Sequence, residues 1–287
     1  MTRQSHPPGG LPPGSDPLPL AALASRVAVA AGRMVVEERP REVEASATKS
    51  SPTDIVTVMD TRAEELLRAL LLGERPDDAF FGEEGEDQKG TSGITWVVDP
   101  IDGTVNYLYD LPAYAVSVAA VAGNPHEPGA WQVVAGAVAD PALRRVYHGA
   151  CGCGAYERGW DDPASSSGTK LRVGAVDVLS AALVGTGFGY TPERRLEQAQ
   201  TLVELLPRVR DIRRFGSAAL DLCSVACGRL DGFYESGLNA WDIAAGWLLV
   251  TEAGGVLTGP RGGPPSPALT VAGNAAVQRE LLAAVDH

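Results

Sequence analysis

The sequence predicts an α/β (α+β) protein built from two unlike halves, on three observations. Apolar residues recur at helical spacing near the start of the chain. A run of short strands separated by turn residues fills the rest of the first half. Strands then alternate with helices through the second half, as they do in an α/β layer. The 287 residues are enough to bury a sizeable core, as one large domain or two fused halves.

Taken in order, residues 1–17 hold five Pro and three Gly with little to bury, and read as a flexible tail. Leu20, Leu23, Ala24, Val27, Ala31, Met34 and Val35 then mark one face of a helix ending near Glu38. The polar stretch Glu42 to Pro52 reads as a loop. Asp60 leads into a second helix with Ala63, Leu66, Leu67, Leu70 and Leu71 on one face, and Ala79-Phe80-Phe81 is a short strand running into Gly82-Glu83-Glu84. Glu64, Glu65, Glu193, Glu197 and Glu204 read as ordinary helix-surface charge. Residues 113–123, 131–139, 144–149 and 153–158 form a meander with turns at Asn124-Pro125 and Asp140-Pro141. The Asp/Ser-rich stretch Asp161 to Gly168 is the linker, which gives halves at 18–165 and 166–287. Beyond it, strands at 182–187, 211–215 and 232–235 alternate with helices at 192–206, 218–228 and 240–253. A Gly-Gly stop and two short strands follow.

Composition narrows the function. Hydrophobic residues at 45% and charged residues at 21% suit a soluble globular chain. The formal charge of −12 gives no footprint for nucleic acid or an anionic membrane, and an anionic substrate would need local positive charge at its site. The first apolar run, Leu18 to Val36, is interrupted by Arg26 and Arg33, so it reads as an amphipathic helix and not a span. With no secretory signal, the expected location is cytoplasmic. The four cysteines lack the C-x2-C spacing of a zinc site, and of the four His only His148 lies near one of them, so they read as reduced thiols.

The most informative stretch is Gly93-Ile94-Thr95-Trp96-Val97-Val98-Asp99-Pro100-Ile101-Asp102-Gly103-Thr104-Val105-Asn106. A buried strand runs into Asp99 and is expected to stop at Pro100, which has no amide for a ladder. Gly103 permits a tight turn, and Thr104 and Asn106 open a helix whose unpaired amides suit a phosphate. Two carboxylates beside an anion-binding turn would repel the anion unless divalent cations sit between them. Acids at strand ends and helix starts that can join them are Asp60, Glu83 and Asp242, the last following Trp241. Mg²⁺ favours such oxygen ligands shared with substrate phosphate.

Lys49…Asp54-Ile-Val-Thr57…Asp60, Gly82-Glu83-Glu84, Asp99-Pro-Ile-Asp102-Gly-Thr104-Val-Asn106 and Trp241-Asp242 together resemble the inositol monophosphatase family over nearly the whole chain. With Arg214-Phe-Gly216-Ser217-Ala218-Ala219-Leu-Asp-Leu-Cys, they are most like its bacterial inositol-1-monophosphatases of the SuhB type. The resemblance implies a layered α/β/α/β/α sandwich with the site between the halves. It implies two or three Mg²⁺ per site, held by Glu83, Asp99, the Ile101 carbonyl, Asp102 and Asp242. Thr104 paired with Asp60 would orient the attacking water, with Glu83 assisting through water at a third metal. Gly103 and Thr104 amides would meet the phosphate, and Asp102, Gly216, Ser217, Ala218, Glu235 and Asp242 the alcohol. Hydrolysis would be direct, without a phospho-enzyme. Homodimers and inhibition by Li⁺ are also implied. The shared acids serve inositol 1-phosphate, fructose 1,6-bisphosphate, histidinol phosphate, 3′-phosphoadenosine phosphates or NADP equally, while Glu235 and residues 216–218 favour inositol. A role of another class, binding transcription or RNA-processing machinery, belongs to some bacterial relatives. A metal-free structural protein is disfavoured, because five carboxylates in one pocket repel one another.

Overall fold

The computed structural model describes residues 12, 15–40, 43–48, 55–163, 166 and 168–286. Most of the expected tail and the motif residues Lys49 to Asp54 lie outside the described residues.

Helix α1 (Pro17–Glu37) opens with an Asp16 cap that accepts from the Leu18 amide at 3.2 Å, and with Pro17 where no amide is needed. By length and composition α1 could cross a membrane, but Leu20, Leu23, Ala24, Val27, Ala31 and Val35 are buried against the rest of the fold. A small antiparallel ribbon follows, β1 (Ala45–Thr48) with β2 (Ile55–Thr57). The stretch read as a loop therefore contributes a strand. Pairing of this kind draws on main-chain bonds, which leave no apolar pattern in the sequence.

Helix α2 (Val58–Glu74) leads to a seven-stranded sheet in simple chain order. Its strands are β3 (Ala79–Gly82), β4 (Ile94–Asp102), β5 (Ala115–Gly123), β6 (Trp131–Asp140), β7 (Arg145–Ala150), β8 (Gly154–Gly159) and β9 (Thr169–Lys170). The β3–β4 pair is parallel and the rest antiparallel. Because β9 pairs with β8, the large sheet continues past residue 165. Strands β4 to β6 are buried on both faces, as their unbroken apolar runs require.

The second half forms a five-stranded sheet in the order β11-β10-β12-β14-β13. These are β10 (Leu183–Thr186), β11 (Asp211–Arg213), β12 (Gly232–Glu235), β13 (Val256–Thr258) and β14 (Thr270–Gly273). The helices of this half are α4 (Pro192–Leu205), α5 (Ala218–Ala226), α6 (Ala240–Glu252) and α7 (Ala275–Val285), while the short α3 (Thr104–Leu108) follows β4. Helix α7 adds to the elements expected from the sequence, and Asn274 starts it by accepting from the amides of Ala276 and Val277, both at 3.0 Å.

Five layers result: α1 and α2, the large sheet, α5 and α6, the small sheet, and α4 with α7. The expected α/β/α/β/α order is present. The middle layer is the tightest. A Cβ at Gly246 of α6 would lie 2.5 Å from Leu222 Cδ1 of α5, and one at Gly136 of β6 would lie 3.1 Å from Ala245 Cα. Gly246→Val should therefore cost about 1–3 kcal/mol through overpacking. Urea unfolding of the variant against the parent measures this, and an unchanged midpoint would contradict close packing of α5 on α6.

Candidate active site

The acids reach one place because of strand register. In the parallel pair β3–β4, Gly82 lies opposite Val98, so Glu83, just past the end of β3, comes beside Asp99, the next residue of β4. Strand β4 does not stop at Pro100. It continues to Asp102, and its register with β5 slips between Asp99 and Asp102, where Ser117 and then Ala115 are the partners. Two residues of β4 thus face one of β5, and in such a bulge the missing proline amide costs no ladder bond. The bulge brings Asp102 round beside Asp99. Gly103 then takes φ 96° and ends up so close to the Ala113 and Gly216 carbonyls that a Cβ would sit 2.9 Å from each. Its own carbonyl accepts from the Tyr107 amide at 3.0 Å and starts α3.

Asp60 and Asp242 come from helix starts. Each is the third residue of its helix and closes a capping box. Asp60 Oδ2 accepts from the Thr57 amide at 2.8 Å, and Asp242 Oδ2 accepts from the Asn239 amide at 2.6 Å. One oxygen of each is thereby committed to the backbone and the other is left for the site. Asp60 Oδ1 lies 2.9 Å from Thr104 Oγ1, which is also 3.0 Å from the Ile101 carbonyl. Trp241 packs edge-on against Phe81 at 5.1 Å, and its carbonyl accepts from Ser117 Oγ at 3.3 Å, which fixes the start of α6 on β3 and β5.

The carboxylates of Asp99, Asp102 and Asp242 offer oxygens all within 4.8 Å of one another, and Glu83 stands against Asp99 within hydrogen-bonding reach. Burial first, then Glu83, Asp102 and Asp242, pushes the Asp99 carboxyl well above the usual range. Asp242 moves the same way through burial, then Glu83 and Asp102. Asp102 is pushed up to about 6 by burial, although Ser217 Oγ and the Ala219 amide both donate to its Oδ2, at 2.6 and 2.7 Å. Asp99 Oδ1 is buried and has no hydrogen-bond partner. An orphaned carboxylate oxygen amid like charges fits a divalent cation, which would satisfy the oxygen and reverse the repulsion.

The C-terminal half supplies the facing wall. Asn106 Nδ2 donates to the carbonyls of Ala113 (2.6 Å) and Phe215 (2.7 Å), tying the loop before α5 to the loop after α3. Gly216 in that loop takes φ 89°. Ser217 is buried, and its hydroxyl goes to Asp102. Ala218 is buried beside it. Glu235 ends β12 with its carboxyl filling the space above Gly187, and burial followed by Asp102 pushes it up to about 8 against the opposing charge of Arg214. Asp221, quoted above without a role, is buried with an unpartnered Oδ1.

Glu64 is not surface charge. It is 4% exposed, and its Oε2 accepts from the Glu84 amide at 2.8 Å. The signal for it was its place four residues after Asp60, on the same side of α2. By contrast Glu65, Glu193, Glu197 and Glu204 are exposed as expected.

Comparison with known proteins agrees with this geometry. A model of the inositol monophosphatase family matches residues 16–286. The chain belongs to that family. The family member named inositol-1-monophosphatase SuhB of Mycobacterium tuberculosis is 46% identical over 96% of both chains. A relative from Pasteurella multocida named Nus factor SuhB is 35% identical, covering 85% of this chain and 86% of its own. Among solved structures, the extragenic suppressor protein suhB of Bartonella henselae superposes with a TM-score of 0.80 at 34% identity, covering 92% of this chain and 96% of its own. Membership makes this chain an enzyme of a metal-dependent phosphatase family, with an acidic cluster to match.

The raised carboxyls have a consequence for stability. Without metal, the folded chain keeps protons on Asp102 up to about 6 and on Glu235 up to about 8, whereas the unfolded chain releases them near 4. Asp60, Asp99 and Asp242 shift in the same direction. The folded state therefore binds more protons than the unfolded state across that window, and stability falls as pH rises from about 4 to about 8. Melting in EDTA should show a falling Tm between pH 5 and pH 8, with Mg²⁺ restoring more at pH 8 than at pH 5. A Mg²⁺ increment that is equal at both would contradict the clustered-carboxylate account.

Proposed function

We propose that this protein is a Mg²⁺-dependent phosphomonoesterase that hydrolyses inositol 1-phosphate to inositol and phosphate. The observation that carries the proposal is the Asp99–Asp102–Asp242 cluster, with its unpartnered Asp99 oxygen, beside the Asp60–Thr104 pair. Glu83, Asp99, the Ile101 carbonyl, Asp102 and Asp242 would hold two or three Mg²⁺. Bound there, Mg²⁺ supplies positive charge that acidifies water and stabilises the phosphoryl oxygens and the leaving alkoxide.

The chain's own groups do the rest. Thr104 Oγ1, held by Asp60, is placed to accept from a water and set its line of attack, so that Asp60 acts as base through the hydroxyl. Burial raises the Asp60 carboxyl despite the Thr57 bonds that lower it, which suits it to take up a proton. The first-turn amides of α3 have no helical acceptor and face the phosphate. Glu235, Gly216, Ser217 and Ala218 form the alcohol side. Ser217 serves there by orienting Asp102, and Glu235 by bonding a polyol hydroxyl. That acid, together with the name carried by the Mycobacterium tuberculosis relative, supports inositol 1-phosphate over histidinol phosphate, fructose 1,6-bisphosphate, 3′-phosphoadenosine phosphates or NADP. Inhibition by Li⁺, at a weaker Mg²⁺ position, belongs to the same proposal. So does a cytoplasmic homodimer, for which the exposed Leu196 and Val203, seven residues apart on one side of α4, offer apolar surface. A second reading, association with transcription machinery, draws on the Nus factor name of the Pasteurella multocida relative.

Phosphate release from the five substrates, each with Mg²⁺, with EDTA and with Mg²⁺ plus Li⁺, should be led by inositol 1-phosphate and abolished by EDTA. Another leading substrate would replace the named ester. No turnover from folded, Mg²⁺-supplied protein would favour the transcription reading. Asp99→Asn and Asp242→Asn should each lower kcat by about a hundredfold or more, since a lost ligand removes several kcal/mol of charge stabilisation. Their Tm in EDTA should not fall, because each removes one of the crowded charges. Full activity in either variant would contradict the metal assignment.

A further inference from the structure

Helix α2 presents Asp60, Glu64 and Arg68 at four-residue intervals, so the three side chains lie along one side of it. Asp60 meets Thr104. The other two reach the turn that carries Glu83. Glu64 Oε2 accepts from the Glu84 amide at 2.8 Å, and Arg68 Nη2 donates to the Glu86 carbonyl at 2.8 Å. Arg68 also lies 3.4 Å from Glu64 Oε1 and stacks 4.1 Å from the Phe80 ring centroid on β3. Two glycines make room for this arrangement, since a Cβ at either Gly82 or Gly85 would displace the Glu64 carboxylate. Glu64 is 4% exposed, and a carboxylate withdrawn from water to that extent is kept only where it is satisfied.

We propose that Glu64 is a positioning residue that clamps the turn of residues 82–86 to α2, with Arg68 holding its far end, and so sets the reach of Glu83 toward the aspartate cluster. Glu64 touches neither substrate nor the reacting atoms. It acts through the Glu84 amide, one residue from Glu83. Asp60 and Glu83 approach the cluster from separate elements, and α2 is the rigid piece that fixes both. The clamp also explains why a helix glutamate four residues after Asp60 is buried while its neighbour Glu65 is exposed.

The consequence for Mg²⁺ rests on the function proposed above, whereas the clamp itself is independent of metal, so two measurements separate them. Glu64→Gln keeps an acceptor oxygen for the Glu84 amide and removes the charge. Glu64→Leu keeps the bulk and removes the acceptor. In metal-free protein, hydrogen–deuterium exchange of a peptide covering residues 82–88 should be at least tenfold faster in Glu64→Leu and within about threefold of the parent in Glu64→Gln. Calorimetric titration with Mg²⁺ alone should give a dissociation constant at least tenfold weaker in Glu64→Leu and within about threefold in Glu64→Gln. KM for substrate at saturating Mg²⁺ should stay within about twofold in both. Should Glu64→Leu fail to fold, Arg68→Met carries the test, with faster exchange at the same peptide and weaker Mg²⁺ binding, each by severalfold. Unchanged exchange in folded Glu64→Leu or Arg68→Met overturns the clamp, as does a Glu64→Gln variant as impaired as Glu64→Leu. Faster exchange with no Mg²⁺ binding in the parent itself leaves the clamp standing and overturns the metal reading.

Discussion

The structure depends on holding several carboxylates together at a site where Asp99 and Asp102 are buried and Asp242 and Glu83 are half-buried. Like charges at such distances resist both burial and proximity, and the upward shifts at Asp99, Asp102 and Asp242 record that resistance. The fold meets it by spending one oxygen of an acid on the backbone and leaving the other to face inward. Asp60 and Asp242 do this through capping boxes, and Asp102 through the start of α5. Within the Asp99–Asp102–Asp242 cluster, Asp99 keeps a buried oxygen with no partner, which marks where compensation by a cation is most needed.

Such tie-down needs separate, rigid elements, and the layered architecture supplies them. The large sheet delivers Glu83 at the end of β3, Asp99 beside it within β4, and Asp102 across the bulge. The outer layer delivers Asp60 from α2, the middle layer delivers Asp242 from α6, and the small sheet delivers Glu235. Asn106 then joins the halves by bonding two loops more than 100 residues apart. The close approach of α5 to α6 at Gly246, one turn along α6 from Asp242, packs the helix that carries Asp242 against the helix whose start bonds Asp102.

Much of this was legible in the residues. Unbroken apolar runs with turn punctuation gave β4 to β6, and the Asp-Pro-Ile-Asp-Gly-Thr stretch placed two acids and a helix start beside one another. What escaped were features set by main-chain pairing or by burial. Pro100 reads locally as a strand stop, yet a bulge tolerates it and carries the strand on to Asp102. The ribbon strand β1 has no apolar period to announce it. Helix α7 carries a cap at Asn274 and apolar residues at Val277 and Leu281, a helical signal that lies in the residues themselves. Glu64 and Glu65 are the same residue type, and only the place of Glu64 on the Asp60 side of α2 separates them in the sequence, while the burial itself comes from the Gly82 and Gly85 turn that folds over that side.

The central claim is that Asp99, Asp102 and Asp242 form a divalent-cation site. Anomalous diffraction from crystals grown or soaked with Mn²⁺, a hard divalent substitute for Mg²⁺, tests it most directly. The account predicts a strong peak with oxygens of all three aspartates at about 2.0–2.6 Å, and loss of that peak in Asp99→Asn. An ordered site with no Mn²⁺ among those carboxylates, at concentrations that support turnover, would contradict it.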